Sequence, residues 1–471
     1  MPFRAPGKAW PKRRSRGAAA ADRAVPRGEL VLMQESQGRP ESALIRPFFD
    51  AHATVTTLLC VLFATMYLDR VNVSAAAASL QSHFGLNNTE LGLIFSAFSW
   101  AYLGSALLGG WGAKRFGAKS SLLVSVMVVG LGTIATGLSG GLMTLFLARL
   151  VVGLGEGPAF PAATQAMRNW YPAQSFGYIQ GITHSASRLG AALAPPLVVG
   201  VITWMGWRAS FVVCGAAAIV WSGAWWMSFR DDPRAHARID PRKLEGVSVS
   251  LSNRSANIPF LMLTKRMLPV TIVMFAYGWT YWVFVSWLPL YFTNRHHTDL
   301  KSSAWLTSAL FCAGLFGNTV GGVASDRILR MTGRNRTARC SVILVSLLGA
   351  ATFITPTMFY SDLYIVLPLL ACGIFFLEMT IAPMYAIPMD ISKEYAGLGS
   401  AYIIIGVGLA GIASPWASGK LIDLTGNWNV PFALGVAILL AGAGVVAMLR
   451  PDIPLVVAAH DEKLLSIAQG A

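Results

Sequence analysis

Apolar runs of about 20 residues recur along this chain, and a run of that length is what an α-helix needs to cross the hydrocarbon core of a bilayer. They fall near 54–80, 90–111, 118–139, 142–166, 177–204, 208–229, 268–292, 303–325, 340–359, 362–388, 397–422 and 430–449. Backbone polar groups cannot face lipid unpaired, which leaves helices or a closed barrel, and a barrel would write ten-residue stretches of alternating polarity instead. Composition agrees: 54% of the residues are hydrophobic and 13% charged, about half the charged share of an average soluble domain. An all-α integral membrane protein with twelve transmembrane helices is therefore expected.

The formal charge of +15 would suggest nucleic acid in a soluble chain. Here the basic residues gather between the apolar runs and report topology instead, so membrane lipid is the expected surrounding and no nucleic-acid partner is. One set of alternate loops holds the N-terminal tail, Lys114, Arg115, Lys119 and Arg168, then eight Arg and Lys from Arg230 to Arg266 and five Arg from Arg327 to Arg339. The opposite set holds little beyond Arg208, Arg295, Lys301 and Lys420. Both termini are expected in the cytoplasm and the protein in the cell (inner) membrane. Residues 1–50 read as a disordered basic tail without the apolar region of a secretory signal, with Met33 as an alternative to Met1 as the start. The five cysteines lie scattered, nearly all inside apolar runs, without metal-ligand or redox spacing, and read as small core residues; no metal and no cofactor is expected.

The long polar segment 231–267 divides two groups of six spans, 51–230 and 268–450, and a C-terminal tail follows at 451–471. A motif repeats across that divide: Gly110-Trp111-Gly112-Ala113-Lys114-Arg115-Phe116-Gly117 after span two and Gly322-Val323-Ala324-Ser325-Asp326-Arg327 after span eight, 212 residues apart. Two copies of a six-helix unit place a substrate site at their interface near mid-membrane.

These loop motifs resemble the mark of the major facilitator superfamily over about residues 50–450. Tyr67-Leu68-Asp69-Arg70-Val71-Asn72 in span one, Gly153-Leu154-Gly155-Glu156-Gly157-Pro158-Ala159-Phe160-Pro161-Ala162 in span four and Ser286-Trp287-Leu288-Pro289-Leu290-Tyr291 in span seven are similar to its anion:cation symporter family. The resemblance implies two pseudo-symmetric six-helix bundles, alternating access, a small organic anion and protons as partners, and a monomer. It also implies Lys114, Arg115, Asp326 and Arg327 as gating residues, with Lys114 standing where the family usually carries aspartate. Many sugar-acid carriers have Gln-x-Pro-Gly-Gly late in span two; this chain has Ala106-Leu107-Leu108-Gly109-Gly110, which removes a partner for sugar hydroxyls.

Charged groups inside the spans carry the chemistry. A carboxylate or guanidinium at mid-membrane costs roughly 2.5–3.5 kcal/mol even on the lenient insertion scale, so such residues are functional by default. Tyr67, Arg70 and Ser74 share one helical face and Asp69 is turned about 100° away. Arg70 can grip a carboxylate with two parallel hydrogen bonds; the competing reading is a fixed ion pair. Arg149 and Glu156 in span four share a face two turns apart, and a purely structural pair between them is the alternative. By similarity to proton-coupled members of the family, Asp69 and Glu156 are the proton-carrying pair. In span five, Gln180, His184, Ser187 and Arg188 form one stripe, and Arg188 gives a second cationic group for a substrate with two anionic or polar ends. Glu378 in span ten has no local cation and either pairs with Arg188 or sits neutral. Tyr277 and Tyr281 of span seven, Asn318 of span eight and Tyr102 of span two complete the candidate substrate site, while Trp287 reads as an interfacial anchor.

The expected function is proton-coupled uptake of a small organic anion, a carboxylate or sugar acid. An efflux carrier of the same fold and a non-transporting sensor built on it are the alternatives. An enzyme is not expected, since no nucleophile–base set, metal-ligand spacing or nucleotide loop occurs in the polar segments.

Overall fold

The computed structural model describes residues 51–172, 175–236, 260–392 and 396–453. The basic tail, most of the 231–267 linker and the C-terminal tail beyond Ile453 lie outside them. Every span is helical. Eleven helices among the described residues are long and apolar enough to cross a membrane. The twelfth span is the first limb of the helix Asn88–Gly137, which bends at Gly117; residues 88–116 at about 1.5 Å each cover roughly 43 Å, more than the core of a bilayer.

That bend has a local cause. Gly117 has φ 82° and ψ 157°, a backbone that glycine adopts without steric cost. A Cβ there would lie 2.6 Å from the Asp231 carboxylate, and the same carboxylate accepts the Lys119 N–H at 3.0 Å. The residue just after span six thus fixes the turn between spans two and three. Span ten is interrupted as well, into Leu363–Glu378 and Ile381–Ile391. Pro383 has no N–H for the carbonyl of Met379, so the ladder fails one turn earlier, directly after Glu378.

The first six spans pack on one another, and the last six do likewise. Close approach at span four depends on missing side chains: a Cβ on Gly157 would meet the Tyr102 carbonyl at 2.6 Å, and one on Gly153 would run into the Phe98 carbonyl. Small residues at such crossings are how membrane helices gain packing contact without a hydrophobic driving force. The halves meet along spans two and eleven, five and eight, and one and seven.

The seam is uneven. At the Asn88 end, Asp423 at the end of span eleven accepts the Asn88 N–H and Nδ2–H at 3.2 and 2.8 Å and the Thr89 N–H and Oγ1–H at 2.7 and 2.6 Å. Ser308 of span eight donates to the Ala192 carbonyl of span five, and Gly92 lies against the backbone of Pro415 and Trp416. The hydrogen bonds described between the halves run from mid-protein to this end. The molecule is closed at the Asn88 end and held in the middle.

Two expectations change. Span seven begins at Phe260, inside the segment read as linker, because its basic residues can lie along a helix end: the Arg266 guanidinium donates to the Ile453 carbonyl at 2.7 Å. Trp287 is only 2% exposed and packs edge-on against Phe95 and Trp428, so it is seam packing between the halves and not an anchor at the lipid interface.

Candidate functional site

Span one carries two opposite charges on adjacent residues, and the 100° step of the helix sends them to different partners. Asp69 points into the first half. Its Oδ1 accepts the Thr133 hydroxyl of span three at 2.8 Å, and its Oδ2 lies 3.1 Å from Nη1 of Arg149 in span four. Arg70 borders the central pocket and donates from Nε to Oε1 of Glu156 at 2.6 Å, with Nη2 in contact with the same oxygen. Arg149 and Glu156 therefore do not pair with each other. Seven residues set them about 10.5 Å apart along the helix, and span one supplies a nearer counter-charge to each.

Arg70 sits in an aromatic cage. Its guanidinium carbon lies 4.9 Å from the Tyr67 ring centroid, 5.1 Å from both Phe98 and Tyr102, and 5.7 Å from Phe160. Rings at that range favour a cation through their π faces. Glu156 is fully buried, and its Oε2 has no hydrogen-bond partner. Arg70 is satisfied by a single described carboxylate although a guanidinium carries five donors. The pair is electrically balanced and incompletely hydrogen-bonded, which suits a group that exchanges partners.

Across the seam, Arg188 of span five meets Glu378 of span ten through Nη1–Oε1 at 3.1 Å and Nη2–Oε2 at 3.0 Å. Tyr277 donates to Oε1 of the same carboxylate at 3.0 Å and stacks on Tyr281. Tyr67, Arg70, Arg188, Tyr281 and Glu378 line one pocket, whose other walls are Val71, Ala191, Val285, Phe311, Gly314 and Ile374. A second pocket on the other side of Arg70, toward the Asn88 end, brings in Arg149, Ser74, Phe98, Trp282 and Ser286.

Most of the candidate residues thus converge. Ser187 does not line the pocket: it is buried and its hydroxyl donates back to the His184 carbonyl. Asn318 is half-buried and not among the lining residues. Of the loop-motif residues, Lys114 and Arg115 are exposed, whereas Asp326 joins Asp390 around the Arg339 guanidinium at 2.9 Å each, wholly inside the second half. Thr133, Phe98, Phe160 and Trp282 are additions. A single hydroxyl or aromatic ring in an apolar helix carries no signal of its own. Their proximity to charged neighbours appears only on folding.

Three comparisons bear on this arrangement. A protein of Cupriavidus necator described as "Probable sulfoacetate transporter" is 40% identical over 86% of this chain and 95% of its own length. The hexuronate transporter of Bacillus subtilis is 28% identical over 82% of this chain and 92% of its own, and a galactarate/D-glucarate transporter of Escherichia coli is 26% identical over 81% and 89%. Among solved structures, a bacterial homologue of the lysosomal transporter Spinster, inward-facing and occupied, superposes with a TM-score of 0.67 at 16% identity, covering 85% of this chain and 97% of that one. A D-xylose–proton symporter superposes with a TM-score of 0.66 at 15% identity, over 85% and 98%. These two share the fold. The family model for the Major Facilitator Superfamily matches residues 58–415. With a twelve-helix fold, two halves meeting at a charged central pocket and that match over most of its length, the chain belongs to the Major Facilitator Superfamily of membrane transporters.

Proposed function

We propose that the protein is a proton-coupled carrier that takes up a small organic anion across the cell (inner) membrane by alternating access. The observation that carries this reading is Arg70, a permanently charged fork whose acceptor, the Glu156 carboxylate, holds the position that an incoming carboxylate or sulfonate would take. The relatives carry, by their names, sulfoacetate, hexuronate and galactarate or glucarate, all organic anions. The pocket favours a short acid over a polyhydroxy one, because four of its walls are Val71, Val285, Phe311 and Ile374 and the glutamine of the sugar-acid pattern is missing from span two.

Coupling follows from the two crossed pairs. A proton on Glu156 removes the charge that holds Arg70 and frees the guanidinium for substrate. Asp69 is the second carrier, with Arg149 and Thr133 as the groups that hold its charged form. Basic loops put the Gly117 end and both termini in the cytoplasm, so the closed Asn88 end faces outward and the halves rock about the central site.

The test is uptake into proteoliposomes with an imposed pH gradient. Arg70→Ala is expected to abolish accumulation of the anion, and ordinary uptake by that variant refutes the assignment. Glu156→Gln is expected to lose the response to the gradient while counterflow exchange persists; a variant still driven by ΔpH removes Glu156 from the proton path.

A further inference from the structure

The Arg188–Glu378 pair differs from the other two buried pairs in one respect: it joins the halves. Arg188 belongs to span five and Glu378 to span ten, 190 residues apart; Nη1 donates to Oε1 at 3.1 Å, and Nη2 lies 3.0 Å from Oε2, which accepts no hydrogen bond. The site is built to accept Glu378. Tyr277 supplies a third polar contact, and Gly314 of span eight packs close against Glu378: a Cβ there would come to 3.0 Å from the Glu378 Cγ. Glu378 is 4% exposed.

Arg188, Arg70 and Tyr67 line the same pocket, and both guanidiniums lie near the Tyr67 ring. Their guanidinium carbons are 5.8 and 4.9 Å from that ring's centroid, hence within about 10.7 Å of each other. That bound is within the reach of a short dianion bonded to both guanidiniums at about 2.8 Å per hydrogen bond. In the structure each guanidinium is paired with one of the protein's own carboxylates. Arg70 and Arg188 with their partners Glu156 and Glu378 sum to zero charge; with one proton on each glutamate two cations are left unbalanced, and a dianion returns the sum to zero.

We infer that the Arg188–Glu378 pair is the docking site for a second anionic group, so that the preferred substrate is a short dianion, and that Glu378 takes up a proton from water as that group replaces it on Arg188. The inference rests on the reading of the protein as an anion carrier. Displacing an ionised Glu378 would leave a buried charge without a partner, the costly way to break such a pair, whereas a neutral carboxylic acid can remain bonded to Tyr277. The charged and titratable groups described around it are Arg188 on span five, Tyr277 and Tyr281 on span seven, and Tyr67 and Arg70 on span one. Span eight contributes Gly314 and Phe311, neither of which titrates. Exchange of partners on Arg188 also releases a tie between the halves, which links occupancy of the second subsite to their movement.

Binding of sulfoacetate, acetate and methanesulfonate to the purified full-length protein, by titration calorimetry at pH 6 and pH 8, separates the outcomes. Wild type is expected to prefer sulfoacetate over both of its halves, more so at pH 6. Glu378→Gln, a neutral stand-in for the protonated acid, is expected to bind sulfoacetate at pH 8 at least about tenfold more tightly than wild type, a gain that misfolding cannot mimic. In Arg188→Gln/Glu378→Gln the ratio of sulfoacetate to acetate affinity is expected to fall by at least about 30-fold. Equal affinity of wild type for sulfoacetate and its halves overturns the inference, as does a Glu378→Gln variant that binds no more tightly than wild type at pH 8. Either result leaves the anion carrier standing. Failure of wild type to bind any of the three, with no change on Arg70→Ala, overturns the carrier reading itself.

Discussion

Replacing Asp423 by alanine removes the carboxylate that closes the Asn88 end. Four hydrogen bonds converge on it, two from backbone N–H groups at the start of span two and two from the side chains of Asn88 and Thr89, at 2.6 to 3.2 Å. Hydrogen bonds to a charged group contribute roughly 1.5–3 kcal/mol each when buried, but Asp423 is exposed, and exposed charge contacts and carboxylates at helix N-termini contribute only some tenths to about 1 kcal/mol. The four together are therefore worth about 1–2 kcal/mol to the closed state, and Asp423→Ala should raise the population open at this end by about 5- to 30-fold. The start of span two itself should survive, since Asn87 and Glu90 cap it with a reciprocal pair of their own. The assay is labelling of Ser286→Cys, in the pocket on that side of Arg70, by a membrane-impermeant maleimide applied from the Asn88 side of a sealed membrane. Cys60, Cys214, Cys312, Cys340 and Cys372 are first replaced by serine or alanine. Labelling should accelerate by the same factor, and Asp423→Asn should fall between the two. A rate within about twofold of the parent would show that the contact does not hold the end closed.

Two further substitutions test the packing beneath the site. Gly157→Val sets a branched side chain against the backbone of span two at Tyr102, and the expected result is a loss of about 1–3 kcal/mol or more of stability, read as a lower melting temperature in detergent; an unchanged melting temperature would mean that spans two and four separate freely there. Thr133→Val keeps the shape and removes the hydroxyl that donates to Asp69 at 2.8 Å. It should cost about 1–3 kcal/mol, and the loss should vanish in an Asp69→Ala background, which removes the acceptor, if the two side chains act as one unit.

Membrane residence and the number of spans could be read from the chain because hydrophobic length is a one-dimensional property, and bilayer thickness sets its scale. The charged residues of the site stood out for the same reason, each being an expensive exception in its own helix. What the chain did not carry was their pairing. Asp69 and Arg70 are neighbours whose partners lie on span four; Arg149 and Glu156 look like a pair along one helix face, and they are joined instead to span one because it offers each a nearer counter-charge. Glu378 has a partner 190 residues away, a distance over which no periodicity speaks. The cage around Arg70 was hidden as well: Phe98 and Phe160 are apolar residues in apolar helices, and only the crossing angles of spans two and four turn them toward the guanidinium. Trp287 shows the same limit in reverse, since an aromatic near a helix end can belong to the lipid boundary or to a seam between halves.

The crossed arrangement of spans one and four bears on how such chains can change over time. Arg70 and Glu156, and Asp69 and Arg149, form two locks on a single pair of helices, so a substitution that neutralises one member strands a buried charge opposite it. Passable routes run through joint replacement within a lock, or through an exchange of sign across it. Members of a lineage should therefore keep or lose Asp69 together with Arg149, and Arg70 together with Glu156, with the two couples free to drift independently. A chain that retains the first couple and has replaced the second by apolar residues would be a carrier whose cargo no longer needs a cation.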